Sequence, residues 1–335
     1  MIKYPLPTGY LLVDNYSRGE LETLSIGDYG KDNNIKADFL GQTKQISSVP
    51  NGFCRPLSEK WVVTLSTQYG CPMRCNFCDV PNIIFKGNVT FDDLKKQLYS
   101  AFSCFPVNYT DRLNIHFARM GEPIFNENVF LFSEWLYNSK EDLQTETGIR
   151  IETIHPVLTT SLPNNYARLR SRIIEWCNIK NTLYNGQAGL QFSINSTNEE
   201  QRGIMFSGMQ LHLSELSKWS HQFPNPIGRK YCLNFALADN FEIDEYKLAS
   251  YFDDEKFMVK ITPIHKNLSC LSNEIHTVDF ERFYDIEERL RNVGFDVIVF
   301  IPSCDEEDGL VTCGNAILGG GEIKTNVYSP MILGL

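Results

Sequence analysis

Several things are scarce or missing in this 335-residue chain, and each narrows what it can be. Its first residues, Met1-Ile2-Lys3-Tyr4-Pro5, lack the apolar core of a signal peptide. No apolar run approaches the roughly 18 residues that a membrane span needs. Positive charge is short, with a formal net charge of −10. Lys and Arg that neutralise phosphates supply most non-specific affinity for nucleic acid. The acidic balance therefore weighs against a large RNA substrate, while leaving room for a local basic patch. The densest basic stretch, Arg168-Leu169-Arg170-Ser171-Arg172, has helical character and reads as a solvated helix face. No internal repeat or low-complexity segment stands out. The expectation from these absences is a cytoplasmic protein with no membrane contact.

What remains is ordinary in bulk: 42% hydrophobic and 21% charged residues, enough for a large globular core. Ten cysteines in a chain without a secretory signal imply a reducing compartment. They then serve as metal ligands, reactive thiols or core residues.

Three of them define the chain. Cys71, Cys75 and Cys78 are spaced C-x3-C-x2-C, with Phe77 just before the third. Three thiolates from one short loop can hold three irons of a [4Fe–4S] cube and leave the fourth open to an outside ligand. Zinc is an alternative, but a structural zinc site closes with four ligands, and no matching C-x2-C or H-x3-H follows downstream. Free thiols or a disulfide knot complete the alternatives, the last disfavoured by the compartment.

Along the chain, residues 1 to about 56 lack helical periodicity. They hold turn signals at Pro7-Thr8-Gly9, Gly27-Asp28-Tyr29-Gly30 and Pro50-Asn51-Gly52, with candidate strands at 10–13 and 21–25. Trp61-Val62-Val63-Thr64-Leu65-Ser66 reads as a buried strand ending in the cysteine loop. Thr90 reads as a helix N-cap, with Asp92 and Asp93 in the first turn. Further strands are expected at 113–118, 150–158, 190–194, 231–237, 257–264 and 296–301. Helices are expected at about 127–138, 166–177, 209–221, 243–252 and 278–292. Such alternation predicts βα units on a parallel sheet. The expected fold class is α/β, an open partial (β/α)6-type barrel with its site at the C-terminal strand ends. The expected organisation is a small β-rich region at 1–56, the barrel at 57–318 and a tail at 319–335, with Gly319-Gly320-Gly321 as a flexible turn.

The cysteine spacing with Phe77 resembles the signature of the radical S-adenosylmethionine (SAM) superfamily. Over about residues 60 to 318 the chain resembles one branch of it, the RNA adenine C2-methyltransferases and their C8-methylating relatives. The features particular to the branch are Met120-Gly121-Glu122-Pro123 with Asn126, Phe192-Ser193-Ile194-Asn195 with Arg202 and Met205, and Val311-Thr312-Cys313-Gly314-Asn315. The resemblance implies a [4Fe–4S] cluster on Cys71, Cys75 and Cys78, SAM as cofactor, and an external electron donor such as a flavodoxin or ferredoxin. It also implies SAM-binding roles near Gly121, Glu122, Thr159, Ser193, Asn195 and His265.

Chemistry supports several of these roles. Glu122 beside the permissive Gly121 suits a cationic amino group through a charge-assisted bond. Ser193 and Asn195 are expected two apart on one strand, so that their side chains share a face and can bond the carboxylate or ribose of SAM. The competing reading for each is a strand-end polar group satisfied by backbone.

In the family, the cysteine matching Cys313 carries a methyl group, and a second cysteine seven residues before the first cluster cysteine releases the adduct. That second position is Thr64 here, which cannot form a disulfide. Cys54 and Cys304 are the candidate substitutes. Cys313 as a buried structural thiol is the competing reading.

The leading expectation is methyl or one-carbon transfer to an unreactive carbon of a small nucleotide-like molecule or RNA. The second is radical hydrogen abstraction (an oxidation, rearrangement or cross-link) without methyl transfer. The third is a cluster- or zinc-binding regulatory protein, which the SAM-facing motifs argue against.

Overall fold

The structure is a computed structural model. It describes residues 1–28, 56–302 and 304–324, and the side chains of 280, 304 and 305 lie outside that description.

Strands β1 (Ile2–Leu6), β2 (Gly9–Tyr16) and β3 (Gly19–Ile26) form an antiparallel meander. β3 pairs with β4 (Trp61–Leu65), so the meander continues directly into the main sheet. A short hairpin, β5 (Gln68–Tyr69) and β6 (Gly87–Asn88), brackets the cysteine loop. The remaining strands are β7 (Tyr109–Phe117), β8 (Arg150–Thr160), β9 (Gly189–Ser193), β10 (Tyr231–Leu237), β11 (Phe257–Pro263) and β12 (Val297–Val299). β4 and β7 to β12 run parallel, neighbour to neighbour in chain order.

The helices are α1 (Phe91–Phe102), α2 (Glu127–Asn138), α3 (Lys140–Thr147), α4 (Leu169–Thr182), α5 (Glu199–Met205), α6 (Leu213–Ser220), α7 (Glu245–Tyr251), α8 (Leu268–Ser272), α9 (Phe280–Asn292) and α10 (Cys304–Asp308). Thr90 caps α1 as its sequence predicts, its hydroxyl accepting from Asp93 N–H at 3.1 Å. α4 starts and ends later than expected, and it buries Leu169, Ile173, Trp176, Cys177 and Ile179 together with Arg172 and Lys180. The basic stretch at its start is only partly solvated. Arg172 is 3% exposed, pairs with Glu127 at 3.1 Å and Glu175 at 2.8 Å, and lies over the Phe130 ring.

Side chains alternate across each strand. Trp61, Val63 and Leu65, Leu113, Ile115 and Phe117, and Leu233 and Phe235 join the helices in one large apolar cluster. The alternate positions face the other way and are largely polar. Laid flat, β7 and β11 would stand about 19 Å apart, four spacings of roughly 4.8 Å. Yet the charge of Lys260 on β11 acts on His116 on β7. The loops above agree: Asn267 Nδ2, after β11, donates to Phe77 O, after β4, at 2.9 Å. The sheet therefore curls into an open barrel with its polar face inward.

The glycines near the C-terminus do not behave as a free turn. Gly319 is buried, its carbonyl accepts from Asn82 Nδ2 at 3.2 Å, and Gly321 N–H donates to Ala316 O at 2.8 Å. Of the turn signals, Tyr29-Gly30 and Pro50-Asn51-Gly52 lie outside the described residues, while Gly27 N–H donates to Thr8 O at 2.7 Å.

Candidate functional site

The cysteine loop leaves the C-terminal end of β4, where polar groups of several loops converge. Its backbone is tied on three sides. Asn76 N–H donates to Met205 O at 2.8 Å, and its Nδ2 to Ile204 O at 2.7 Å, both past β9. Ser269 Oγ donates to Cys78 O at 2.9 Å, and Asn267 Nδ2 bridges Phe77 O and Gly314 O. Asp79 N–H donates to Gly314 O at 2.8 Å. Phe77 packs edge-on against Phe206, ring centroids 5.3 Å apart. A distinct apolar cluster, with Met73, Cys75, Met205, Phe206, Ile264 and Cys270 among its members, encloses the loop.

Every constraint acts on backbone or neighbours, and the three thiols remain unbridged. Burial raises all three thiol pKa values, and their proximity raises those of Cys71 and Cys75 further; Cys78 is pushed up to about 12. Arg119 is a compensating cation for Cys78. Thiolates so desolvated are stable when a metal neutralises them, which is the donor chemistry a cluster needs. Among the described residues, no three His, Cys, Asp or Glu side chains converge tightly enough to hold a single metal ion. The thiols lie close enough for their charges to act on one another.

Glu122 stands beside this loop, and its charge is felt by Cys71 and Cys75. It is 2% exposed, and burial raises its carboxyl to about 7. Its oxygens accept from Ser161 N–H at 2.7 Å and Ile124 N–H at 3.2 Å. Side-chain hydrogen bonds from Thr160 and Ser161 also favour its charged form against that burial. Gly121 makes this placement possible. Its φ is +97°, and a Cβ there would lie 2.5 Å from Gln68 Cβ.

Thr159 is half-buried on the inward face of β8. Ser193 ends β9, and its carbonyl accepts from Gln210 Nε2, whose Oε1 accepts from the buried Arg202 at 2.8 Å. Asn195 departs from the shared-face expectation. It lies beyond the end of β9 with φ +62°, and its Oδ1 accepts from Ala236 N–H at 3.0 Å. A left-handed residue breaks the alternation that would have aligned it with Ser193. His265 follows β11, is 9% exposed, and burial followed by the Lys260 charge holds it down to about 4.

Cys313 is exposed, not buried, which removes the structural-thiol reading. Its neighbour Gly314 lies against the cysteine loop: φ is +90°, and a Cβ would meet Phe77 O at 2.9 Å. Cys313 is close enough to Cys78 to act on it electrostatically. Thr64 sits on the inward face of β4, beside His116 in register. Cys54 and the side chain of Cys304 lie outside the described residues.

Sequence reasoning missed Asn267, Ser269 and Ser161. Asn267 carries a local signal as the N-cap of α8, its Oδ1 accepting from Cys270 N–H at 2.8 Å. Nothing local signals that its amide also clamps the cysteine loop. Ser161 lies two positions past Thr159 and joins Glu122 to the Cys75 neighbourhood.

No protein-family model matches the chain. It is 24% identical over 248 residues to a probable dual-specificity RNA methyltransferase RlmN of Prochlorococcus marinus, covering 72% of this chain and 65% of that one. It is 24% identical over 233 residues to the dual-specificity RNA methyltransferase RlmN of Geobacter sulfurreducens, covering 68% and 58%. The chain spans only 55–65% of the length of the first such relatives. In structure it is similar to a radical SAM methyltransferase from Sphaerobacter thermophilus, with a TM-score of 0.59, 16% identity, and coverage of 93% of this chain and 80% of that one. Among the described residues no helix is long and apolar enough to cross a membrane. By sequence the chain is similar, over most of its length, to RlmN-type RNA methyltransferases, and its fold is similar, over nearly all of it, to that of a radical SAM methyltransferase.

Proposed function

We propose that this protein is a radical SAM enzyme that transfers a methyl or other one-carbon group to an unreactive carbon of a nucleotide-like or RNA substrate. Cys71, Cys75 and Cys78 hold the [4Fe–4S] cluster, and Glu122, Thr159, Ser193, Asn195 and His265 hold SAM. Bound together, cluster and SAM supply a 5′-deoxyadenosyl radical once an external donor such as a flavodoxin or ferredoxin provides an electron. The chain's own part is to seat the sulfonium, exclude water and present a thiol. The apolar cluster around the loop gives the exclusion.

The observation that carries the methyl-transfer reading is the docking of Gly314 O on Asp79 N–H at 2.8 Å, which sets the exposed Cys313 beside Cys78. A carrier cysteine must be accessible, because the thiolate is the nucleophile. Anaerobically reconstituted protein, incubated with SAM and analysed by peptide mass spectrometry, carries a methyl group on Cys313 under this reading. Unmodified Cys313 alongside 5′-deoxyadenosine formation would overturn it.

One observation favours the hydrogen-abstraction alternative. Thr64 occupies the inward face of β4, where the family has its releasing thiol, and a hydroxyl cannot break a carrier–substrate bond by disulfide formation. In that reading Cys313 is a hydrogen-atom donor, and SAM cleavage leaves no methylated protein.

A further inference from the structure

The inward face of the barrel below the cysteine loop holds positive charge that the protein does not neutralise. Arg112 of β7, Arg229 just before β10 and Lys260 of β11 have no carboxylate partner among the described residues. Arg112 Nε donates to Asn114 Oδ1 at 2.8 Å, Arg229 Nη1 to Gln187 O at 3.3 Å, and Lys260 Nζ lies 5.2 Å from the Phe300 ring centroid. Lys60, at the same mouth, is paired with Asp28 at 2.8 Å.

Register sets these groups around one interior: Asn114, which takes the Arg112 bond, pairs with His155; Arg229 Nη1 lies 3.4 Å from where a Cβ on Gly189 would stand, and Gly189 pairs with Val157, the partner of His116; Asn234 pairs with Lys260. Arg229 acts on Arg112, and both act with Lys260 and Lys60 on His116. Burial followed by these cations keeps His116 and His155 neutral, at about 3 and about 4. The inward thiol Cys232 is held up to about 11, chiefly by burial, so it adds no counter-charge at neutral pH.

The same space contains orphaned polar atoms. Nδ1 of His155, which is 5% exposed, Oδ1 of Asn234 and Oγ1 of Thr262 are buried without a hydrogen-bond partner. Unmet buried polar groups cost about 1–3 kcal/mol each, and such groups in native proteins call for an explanation. Cations without acids, beside acceptors without donors, match one kind of ligand: an anion that also carries hydroxyl groups.

We propose that the barrel interior is a substrate chamber for a phosphorylated, hydroxyl-bearing small molecule. Arg112, Arg229 and Lys260 take the phosphate, and His155 and Asn234 accept from sugar hydroxyls. Resting on the radical SAM reading, this names the substrate class as a nucleotide or sugar phosphate. The chamber lies under the ends of β8, β9 and β11, where Thr159, Ser193 and His265 stand, so a bound sugar would face the SAM site.

The test is calorimetric titration of the full, anaerobically reconstituted protein with ribose 5-phosphate, pyrophosphate and ribose. Ribose 5-phosphate binds, ribose alone binds at least tenfold more weakly, and raising salt weakens the phosphate ligands. Arg229→Gln and Lys260→Met each lower ribose 5-phosphate affinity tenfold or more. Lys260→Arg, which keeps the charge, retains most of it and guards against a folding failure in Lys260→Met. Lys218→Met, an exposed cation on α6, leaves binding unchanged. No binding by the wild-type protein, or equal binding by Arg229→Gln and Lys260→Met, overturns the chamber. So does binding of an RNA oligonucleotide where the small phosphates fail. The two readings fail separately. SAM cleavage without phosphate binding removes the chamber alone, and phosphate binding without SAM cleavage removes the radical SAM assignment alone.

Discussion

The segment that bears Cys313 is held from below by a buried ion pair, and breaking that pair is a sharp test of how the site is assembled. Arg119, two residues past β7, donates from Nε to Glu22 Oε2 at 2.9 Å and from Nη1 to Leu310 O at 2.7 Å. The other oxygen of Glu22, Oε1, accepts from Leu318 N–H at 2.8 Å. The side chains are 2% and 0% exposed, so water cannot replace a lost partner. Two residues thus clamp both ends of 310–318 onto β3 and the barrel rim. Arg119→Met leaves the Glu22 carboxylate buried with one donor, and removing one partner of a buried pair costs about 3–5 kcal/mol. Glu22→Leu strands the guanidinium and should cost a similar amount. The double variant Glu22→Leu/Arg119→Met removes both charges, so its loss falls short of the sum of the singles by about 2 kcal/mol or more. Urea denaturation of the four proteins gives that cycle. Hydrogen exchange adds a local readout, with residues 310–318 losing protection in the single variants before the sheet does. The reasoning fails if Arg119→Met loses less than about 1 kcal/mol, or if the single losses add within about 0.5 kcal/mol.

Three further outcomes are expected. Gly121→Ala forces a Cβ to within 2.5 Å of Gln68 at a φ of +97°, so it destabilises the protein by about 1–3 kcal/mol in thermal or urea unfolding; a neutral effect would show that the rim relaxes freely. Glu122→Gln keeps an acceptor for Ser161 N–H but loses the charge, so SAM affinity measured by equilibrium dialysis falls about tenfold or more, and unchanged affinity rejects the role given to Glu122. His116, His155 and His265 have folded pKa values of about 3, 4 and 4, below their unfolded value near 6.5. The unfolded chain therefore binds protons first. Stability is full above pH 6.5 and is lost as pH falls toward 4, by about 1.4 kcal/mol per histidine at pH 5.5. Urea midpoints that stay level from pH 7 to 5.5 contradict that burial.

Much of this molecule was determined by short-range information. The C-x3-C-x2-C spacing, the β-branched run before it and the alternation of strands with helices are local patterns. A period of two or 3.6 decides which side chains an element presents without reference to the rest of the chain. Thr90 as a cap and Gly121-Glu122 at a strand end are legible for the same reason: each needs only its immediate neighbours. What the tertiary structure alone decided are relations between residues far apart in the chain. That β3 pairs with β4 and sets Glu22 against Arg119, 97 positions away, follows from which strands become neighbours. That Asn195 leaves its strand follows from the Ala236 N–H on the next strand competing for its side chain. The cations at 112, 229 and 260 look like scattered charges in an acidic sequence. They become one unneutralised group only because curling the sheet turns three distant strand regions toward the same interior, where low polarizability strengthens every uncompensated charge.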